Sequence, residues 1–262
     1  MRNNWSREEL ILAFNLYFKI PYGQFNNRNK EIIELANLMG RTSGAIAYKL
    51  VNFVSLDPKH KELGRKGAVN VGKLDIEIFN EFRNNWEDLL FESEKILAEK
   101  QKTTIEAKYK DVIEDYQHKQ GEEKLRMVKT RVNQELFRRM ILTNFDYKCA
   151  ITGINISDLL VASHIKPWSK DKNERLNPAN GISLSGTFDK AFDNGLITID
   201  TNYKVVFSAH LKKHLKTDFY RECFKFYEGK EISQPRKVAI GKEFLQYHNE
   251  IIFEKKYKNL VL

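Results

Sequence analysis

The chain has 262 residues, 42% hydrophobic and 30% charged, with a net charge of +9 and a pI near 9.3. That balance belongs to a soluble globular protein with length for one large domain or two ordinary ones, and its basicity suits a polyanionic partner. No run of 18 apolar residues occurs, no hydrophobic leader follows Met1, and the two cysteines (Cys149 and Cys223) lie outside any CxxC pair. A membrane-spanning or secreted product, a disulfide framework and a zinc ribbon are therefore not expected, whereas a reducing cytoplasm is.

In chain order, Ser6 with Glu9 three residues on is a capping box that starts a helix carrying Leu10, Ile11, Phe14, Tyr17 and Phe18 at helical spacing. Pro21-Tyr22-Gly23 ends it. A second helix is predicted from about Asn29 to Met39, stopped by Gly40, and a third from Arg41-Thr42-Ser43-Gly44 onward with Ile46, Leu50 and Phe53 inward. Two helices joined by a tight glycine turn are a helix-turn-helix signal, and Trp5, the acidic pair after it and the Gly-Arg-Thr-Ser-Gly-Ala-Ile start of the third helix resemble Myb/SANT-like domains. The resemblance implies duplex DNA binding, with Arg41, Ser43 and Lys49 on the reading helix. A helical bundle used for docking or dimerisation is the plainer alternative. Residues 57–73 read as a flexible basic loop, followed by a helix with Ile76, Phe79, Phe82 and Trp86. From about 89 to 130 the chain is helical and densely charged, with few apolar positions such as Leu90, Ile96, Ile105 and Tyr116, and reads as a spacer or a packing helix.

The texture changes at Arg131. A helix with Phe137 and Ile141 leads to Cys149-Ala-Ile-Thr-Gly153, then to a buried strand, Leu159 to Ile165, ended by Pro167. A polar loop from Trp168 to Ala179 follows, then a second strand at 182–185 and a short helix from Gly186 to Asn194 closed by Gly195. A hairpin (196–199 with 204–208) and a final amphipathic helix from Ile240 to Phe253 complete the chain.

Chemistry concentrates in the two strands and the short helix. His164 ends an apolar strand, Asn180 stands at a turn, and Asp189 and Asp193, four residues apart, share one helix face. A general base, a group to orient it and two hard oxygen ligands are what hydrolysis of a phosphodiester with one metal ion needs. Two carboxylates and no thiolate favour Mg²⁺ or Mn²⁺ over Zn²⁺. Arg131, Arg138, Lys166 and Arg175 are candidates to hold neighbouring phosphates. His210 and His214, also four apart, form a weaker rival metal pair, because Lys212, Lys213 and Lys216 surround them.

The elements Cys149-Ala-Ile-Thr-Gly153, Ala162-Ser-His-Ile165, Arg175-Leu-Asn-Pro-Ala-Asn180-Gly and Phe188-Asp189-x-x-Phe192-Asp193-x-Gly195 resemble the HNH endonucleases, most of all a bacterial branch of predicted restriction enzymes. The resemblance implies an α+β chain: a helical DNA-binding domain at 1–88, a charged helical linker at 89–130 and a ββα-metal nuclease domain at 131–262. It implies His164 as general base, Asn180 as the residue orienting it and Asp189 and Asp193 as metal ligands, with Ser163 where many members carry a further ligand. The implied partner is double-stranded DNA, with a homodimer expected if both strands are cut. The rivals are a DNA-binding regulator with a decayed nuclease domain and a nuclease acting on RNA or single strands.

Overall fold

The computed structural model describes residues 4–62, 64–69, 71–82, 85–113, 121–171 and 173–255; Tyr116 lies outside the described residues. The chain divides into two units, Met1–Met140 and Ile141–Leu262.

The first unit is helical: α1 (Arg7–Lys19), α2 (Lys30–Met39), α3 (Ser43–Leu56), α4 (Pro58–Glu62), α5 (Lys73–Phe82), α6 (Trp86–Lys100), α7 (Ile105–Lys108), α8 (Lys110–Ile113) and α9 (Gly121–Asn144), within which the boundary to the second unit falls. Ser6 and Glu9 close the capping box, the Glu9 amide donating to Ser6 Oγ and the Glu9 carboxylate accepting from the Ser6 amide. Asn29 caps α2 through the amides of Glu31 and Ile32, and Gly40 ends it in the left-handed region at φ +63°. Thr42 caps α3 through Ala45. Helix α1 is buried on every side from Leu10 to Lys19, because α3, α5 and α6 surround it. Phe14 is the hub of this core, with ring centres 4.8 Å from Phe53 and 5.5 Å from Phe79, while Phe18 meets Trp86 edge-on at 4.7 Å.

Three expectations for this unit are corrected. Arg41 and Lys49 do not face solvent, their side chains being 8% and 9% exposed. Arg41 grips the same Glu9 carboxylate that closes the capping box, at 2.7 Å through both Nε and Nη2, and lies over the Trp5 ring. Lys49 pairs with Asp75 at 2.8 Å and faces Trp5 from 4.8 Å. A buried charge requires a partner, and these two found theirs inside the fold. The outward face of α3 instead presents Thr42, Gly44 and Tyr48, with Ser43 half-buried. The stretch 57–73 is not simply a loop either. It contains α4, its His60 is fully buried, and Arg65 stacks on Tyr22 while touching His60 Nδ1 at 2.8 Å. In α5 the inward isoleucine is Ile78, beside Phe79 and Phe82, and Ile76 is exposed.

Helix α6, within the charged stretch, packs on α1. Glu94 is fully buried there, paired with Lys19 and with Lys108 (2.5 Å). Burial alone would push this carboxyl up, but the two ammoniums beside it hold it down to about 2.

The second unit carries β1 (Leu160–His164), paired antiparallel with β2 (Gly181–Ser185) so that Ser163 faces Ile182 and His164 faces Gly181. Helix α10 (Gly186–Asp193) leaves β2 directly and packs back on both strands. A second antiparallel pair, β3 (Ile197–Ile199) and β4 (Val205–Phe207), is followed by α11 (Ala209–Lys212), α12 (Asp218–Cys223) and α13 (Lys242–Tyr247). The last helix is shorter than its amphipathic pattern predicts, because it passes into a π-helical turn, His248–Ile252. Among the described residues no helix is long and apolar enough to cross a membrane.

Two measurements check the buried ion pairs. Arg41→Ala leaves the Glu9 carboxylate without its bidentate partner and is expected to cost the helical unit about 3 kcal/mol in urea denaturation. Because the folded Glu94 carboxyl sits below its unfolded value, its contribution is complete above about pH 4.5 and is lost as the pH falls toward about 2. The carboxylate alone would account for about 3 kcal/mol over that window. Glu94→Gln should abolish this loss, while the linkage of Lys19, which burial lowers from 10.5, falls at higher pH than this window.

Candidate active site

Strand β1 delivers His164 to the start of the loop between β1 and β2, and Asn180 closes that loop from its far end. The Asn180 side chain is 1% exposed and satisfied on both atoms. Its Oδ1 accepts from the Lys166 amide at 2.7 Å, and its Nδ2 donates to the carbonyls of Lys166 and Glu174, both at 3.1 Å. The Asn180 carbonyl also accepts from the Ile165 amide. Both ends of the loop are thus tied to one side chain.

The carbonyl next to Glu174 is that of Arg175, and it sits 2.7 Å from His164 Nε2. A carbonyl can only accept, so Nε2 carries the proton and Nδ1 carries the lone pair of the neutral ring. Trp168 meets the imidazole edge-on at 5.4 Å, with the Arg175 guanidinium 5.1 Å above its own ring centre and Arg175 Nε donating to its carbonyl at 2.7 Å. Lys166 pairs with Asp171 at 2.7 Å. Burial pushes the His164 imidazole below its ordinary value of 6.5, while the Arg175 carbonyl and the Asp189 charge work against that shift.

Asp189 of α10 is half-buried and within electrostatic range of the ring, while Asp193 lies one turn further on and is exposed. Helix α10 is held by its other side. Phe188 packs against Phe224 and Tyr227, and the Phe192 ring lies flat on His248, 3.7 Å between centres and 9° between planes. His248 is 1% exposed, donates from Nε2 to the Phe192 carbonyl at 3.1 Å and has its Nδ1 2.8 Å from the Thr198 hydroxyl. Burial pushes its ring down to about 4, so it is neutral. Gly195, at φ +68°, lets the π-helical turn close over the helix end, since a side chain there would meet the Ile252 carbonyl oxygen 2.4 Å away.

Ser163 is the residue whose position differs most from its expected role. Successive side chains of a strand point to opposite faces, so Ser163 does not share the face of His164. Its cross-strand neighbour is Ile182 and it is 2% exposed, with its hydroxyl unpartnered among the described residues. The expectation of Ser163 as a ligand loses its geometric basis. The face of His164 carries instead Ala162 and, opposite it, Ser183, whose hydroxyl is buried and likewise unpartnered. Among the described residues no group of three His, Cys, Asp or Glu side chains converges as a metal cage, and His210 and His214 stand edge-to-face 5.8 Å apart without a third such residue. A half-buried carboxylate within electrostatic range of the histidine, with a second one turn along, is a donor set that fits a hard cation leaving most of its coordination to water and phosphate oxygens.

Of the expected phosphate contacts, Lys166 and Arg175 belong to this loop, whereas Arg131 and Arg138 lie on α9 in the first unit, exposed and half-buried respectively. Sequence reasoning missed His248 and Trp168. Trp168 stands four residues after His164 in a loop whose path spacing does not define, and nothing local marks His248, which is 56 residues from Phe192.

Residues 149–200 match the family model of the HNH endonucleases. No curated protein matches the chain. The matched segment contains β1, the Asn180-closed loop, β2, α10 and β3, and with them His164, Asn180, Asp189 and Asp193. The chain carries an HNH endonuclease domain and is on that account a nuclease, a phosphodiester hydrolase acting on nucleic acid.

Proposed function

We propose that the protein is a metal-dependent DNA endonuclease in which His164 is the general base, Asn180 positions it, and Asp189 and Asp193 hold Mg²⁺ or Mn²⁺. The observation that supports this most is the His164 ring, fixed by the Arg175 carbonyl through Nε2 and lying within the influence of Asp189. With Nε2 committed, Nδ1 takes the proton from an attacking water. A ring whose proton affinity is lowered by burial remains neutral, and able to act, near pH 7. The ion held by the two carboxylates would supply positive charge to the phosphate and the departing sugar oxygen. Lys166 and Arg175 border the loop beside His164 and are suited to neighbouring phosphate oxygens; Arg131 and Arg138 on α9 are further candidates for phosphate contact. Ser43, with Thr42 and Tyr48, supplies the outward face of α3 for contact with DNA.

The biological reading is a cytoplasmic restriction enzyme acting on double-stranded DNA as a homodimer, because one such site cuts one strand at a time. A regulator with an inactive nuclease domain is the second reading, kept open by Ser163, which stands where a further ligand is expected and lies on the face opposite His164.

Plasmid cleavage separates the two. The wild type is expected to nick supercoiled DNA with Mg²⁺ or Mn²⁺, and His164→Ala to lower the rate by about 10²–10⁴-fold without loss of DNA affinity. Asp189→Asn should raise the metal concentration needed for half-maximal rate. A wild type inert in both ions would support the regulator, and matched single-stranded and RNA substrates define the strand preference. Asn180→Asp keeps the acceptor for the Lys166 amide but sets a second acceptor against the carbonyls of Lys166 and Glu174. It is expected to cost the C-terminal unit about 3 kcal/mol in denaturant titration and to release the loop amides to hydrogen exchange.

A further inference from the structure

The C-terminal unit contains a cavity of about 660 Å³ between α10 and the segment that forms α11 and α12. Thr187, Lys190, Ala191 and Asn194, spaced three and four apart, present one stripe of α10 to it. The rest of the lining is mainly apolar. Leu211, Tyr220 and Phe224 are buried, Leu196 is half-buried, and Phe219 stands 59% exposed. Apolar and aromatic walls with a few polar groups, at this volume, are the build of a ligand site.

Charge at this cavity is one-sided. No Asp or Glu is among its lining residues, whereas Lys190 and His214 are. Both are exposed, and Lys190 has no carboxylate partner among the described residues. Lys213 and Lys216, on either side of His214 in the chain, are likewise exposed without an ion pair there, while Lys212 is held by Glu228 at 2.5 Å. An occupant with an apolar part inside and a negative charge outside therefore meets cations that carry no ion pair.

We infer that this cavity receives one unpaired nucleotide of the nucleic-acid substrate, its base among the leucine and aromatic side chains and its phosphate toward Lys190 and His214. A base stacked in a duplex offers no free face, so only an unpaired or extruded one can enter. Aromatic side chains suit it, since stacking on them strengthens binding by roughly fivefold to a hundredfold per base. A fatty acid shares the apolar-plus-anion chemistry, and α10 decides between the two. Lys190 follows Asp189 on this helix and precedes Asp193 by three residues, so a strand held at those carboxylates passes within about one helix diameter, roughly 10 Å, of the cavity. In this the assignment rests on Asp189 and Asp193 being the metal ligands.

Fluorescence anisotropy of the full-length chain in EDTA, where no strand is cut, compares a paired duplex, the same duplex with one unpaired adenine, and that duplex with an abasic sugar in place of the adenosine. The unpaired base should tighten binding about fivefold or more, and the abasic sugar should lose that gain. Phe219→Ala should remove the preference and Phe219→Trp keep it; the ring is exposed, so its loss spares the core. Lys190→Gln should weaken binding of the unpaired duplex about threefold or more. No binding, equal affinity for paired and unpaired duplexes, a gain shared by the abasic duplex, or a preference unmoved in Phe219→Ala overturns the assignment. So does an acidic leucine-rich peptide that binds through Phe219 when no base preference is seen, which would mark a protein-docking groove. A chain that nicks plasmid without the base preference loses only this assignment, whereas one that shows the preference but is inert in Mg²⁺ and Mn²⁺ loses only the proposed catalysis.

Discussion

The hydrogen bonds of the Asn180 side chain are the constraint on which the catalytic half of the protein depends. The loop between β1 and β2 has little apolar content with which to fold itself, yet it must deliver one carbonyl oxygen to the histidine. Asn180 offers an acceptor and two donor hydrogens, and all three groups are spent on backbone at the two ends of the loop. An amide is suited to this role because it matches a peptide's own pattern of donor and acceptor, and burial of the side chain strengthens each bond. The Arg175 carbonyl is fixed as a consequence, and with it the tautomer of His164. Trp168, pinned beneath Arg175, then walls the imidazole on one side.

The basic residues of the N-terminal unit show why charge counts transfer poorly to surfaces. A net charge of +9 suggests an exterior of ammonium and guanidinium groups. Yet Arg41, Lys49 and Lys19 are inside, each on a carboxylate, and the first two flank one tryptophan. Such pairs add little net stability over apolar residues of the same volume, but removing one partner is costly, so they specify which helices meet. Glu9 closes the capping box of α1 and anchors Arg41 from just before α3, so a local capping device also fixes the approach of a distant helix.

What could be read from the sequence is what neighbouring residues decide among themselves. Ser6 and Glu9, Asn29, Gly40 and Thr42 mark their helix ends because the bonds involved span at most five residues. The order of strand, loop asparagine, strand and helix around His164 was legible for the same reason. So was the alternation of the strand, which already sets Ser163 on the face opposite His164; the family resemblance outweighed that local signal. The partners that override local preference were hidden. Arg41 finds Glu9 from 32 residues away, Lys49 finds Asp75 from 26 and His248 reaches Phe192 from 56. The amphipathic pattern near the C-terminus looks like one uninterrupted helix, and the switch to a π turn at His248 follows from packing against α10 and β3, which hydrophobic periodicity does not encode.

The stacking of His248 on Phe192 bears on where the nuclease domain ends. The matched family segment stops at residue 200, and by then every residue that takes part in the proposed chemistry has been passed. Helix α10, however, is backed by Phe224, Tyr227, His248 and the closure of Ile252 over Gly195, all contributed by chain beyond that point. A fragment cut at the motif boundary would keep the groups of the proposed chemistry and lose the buttress that backs α10, the helix carrying Asp189. The smallest autonomous catalytic module therefore extends through the π-helical turn, and any transplant of this domain must carry that tail with it.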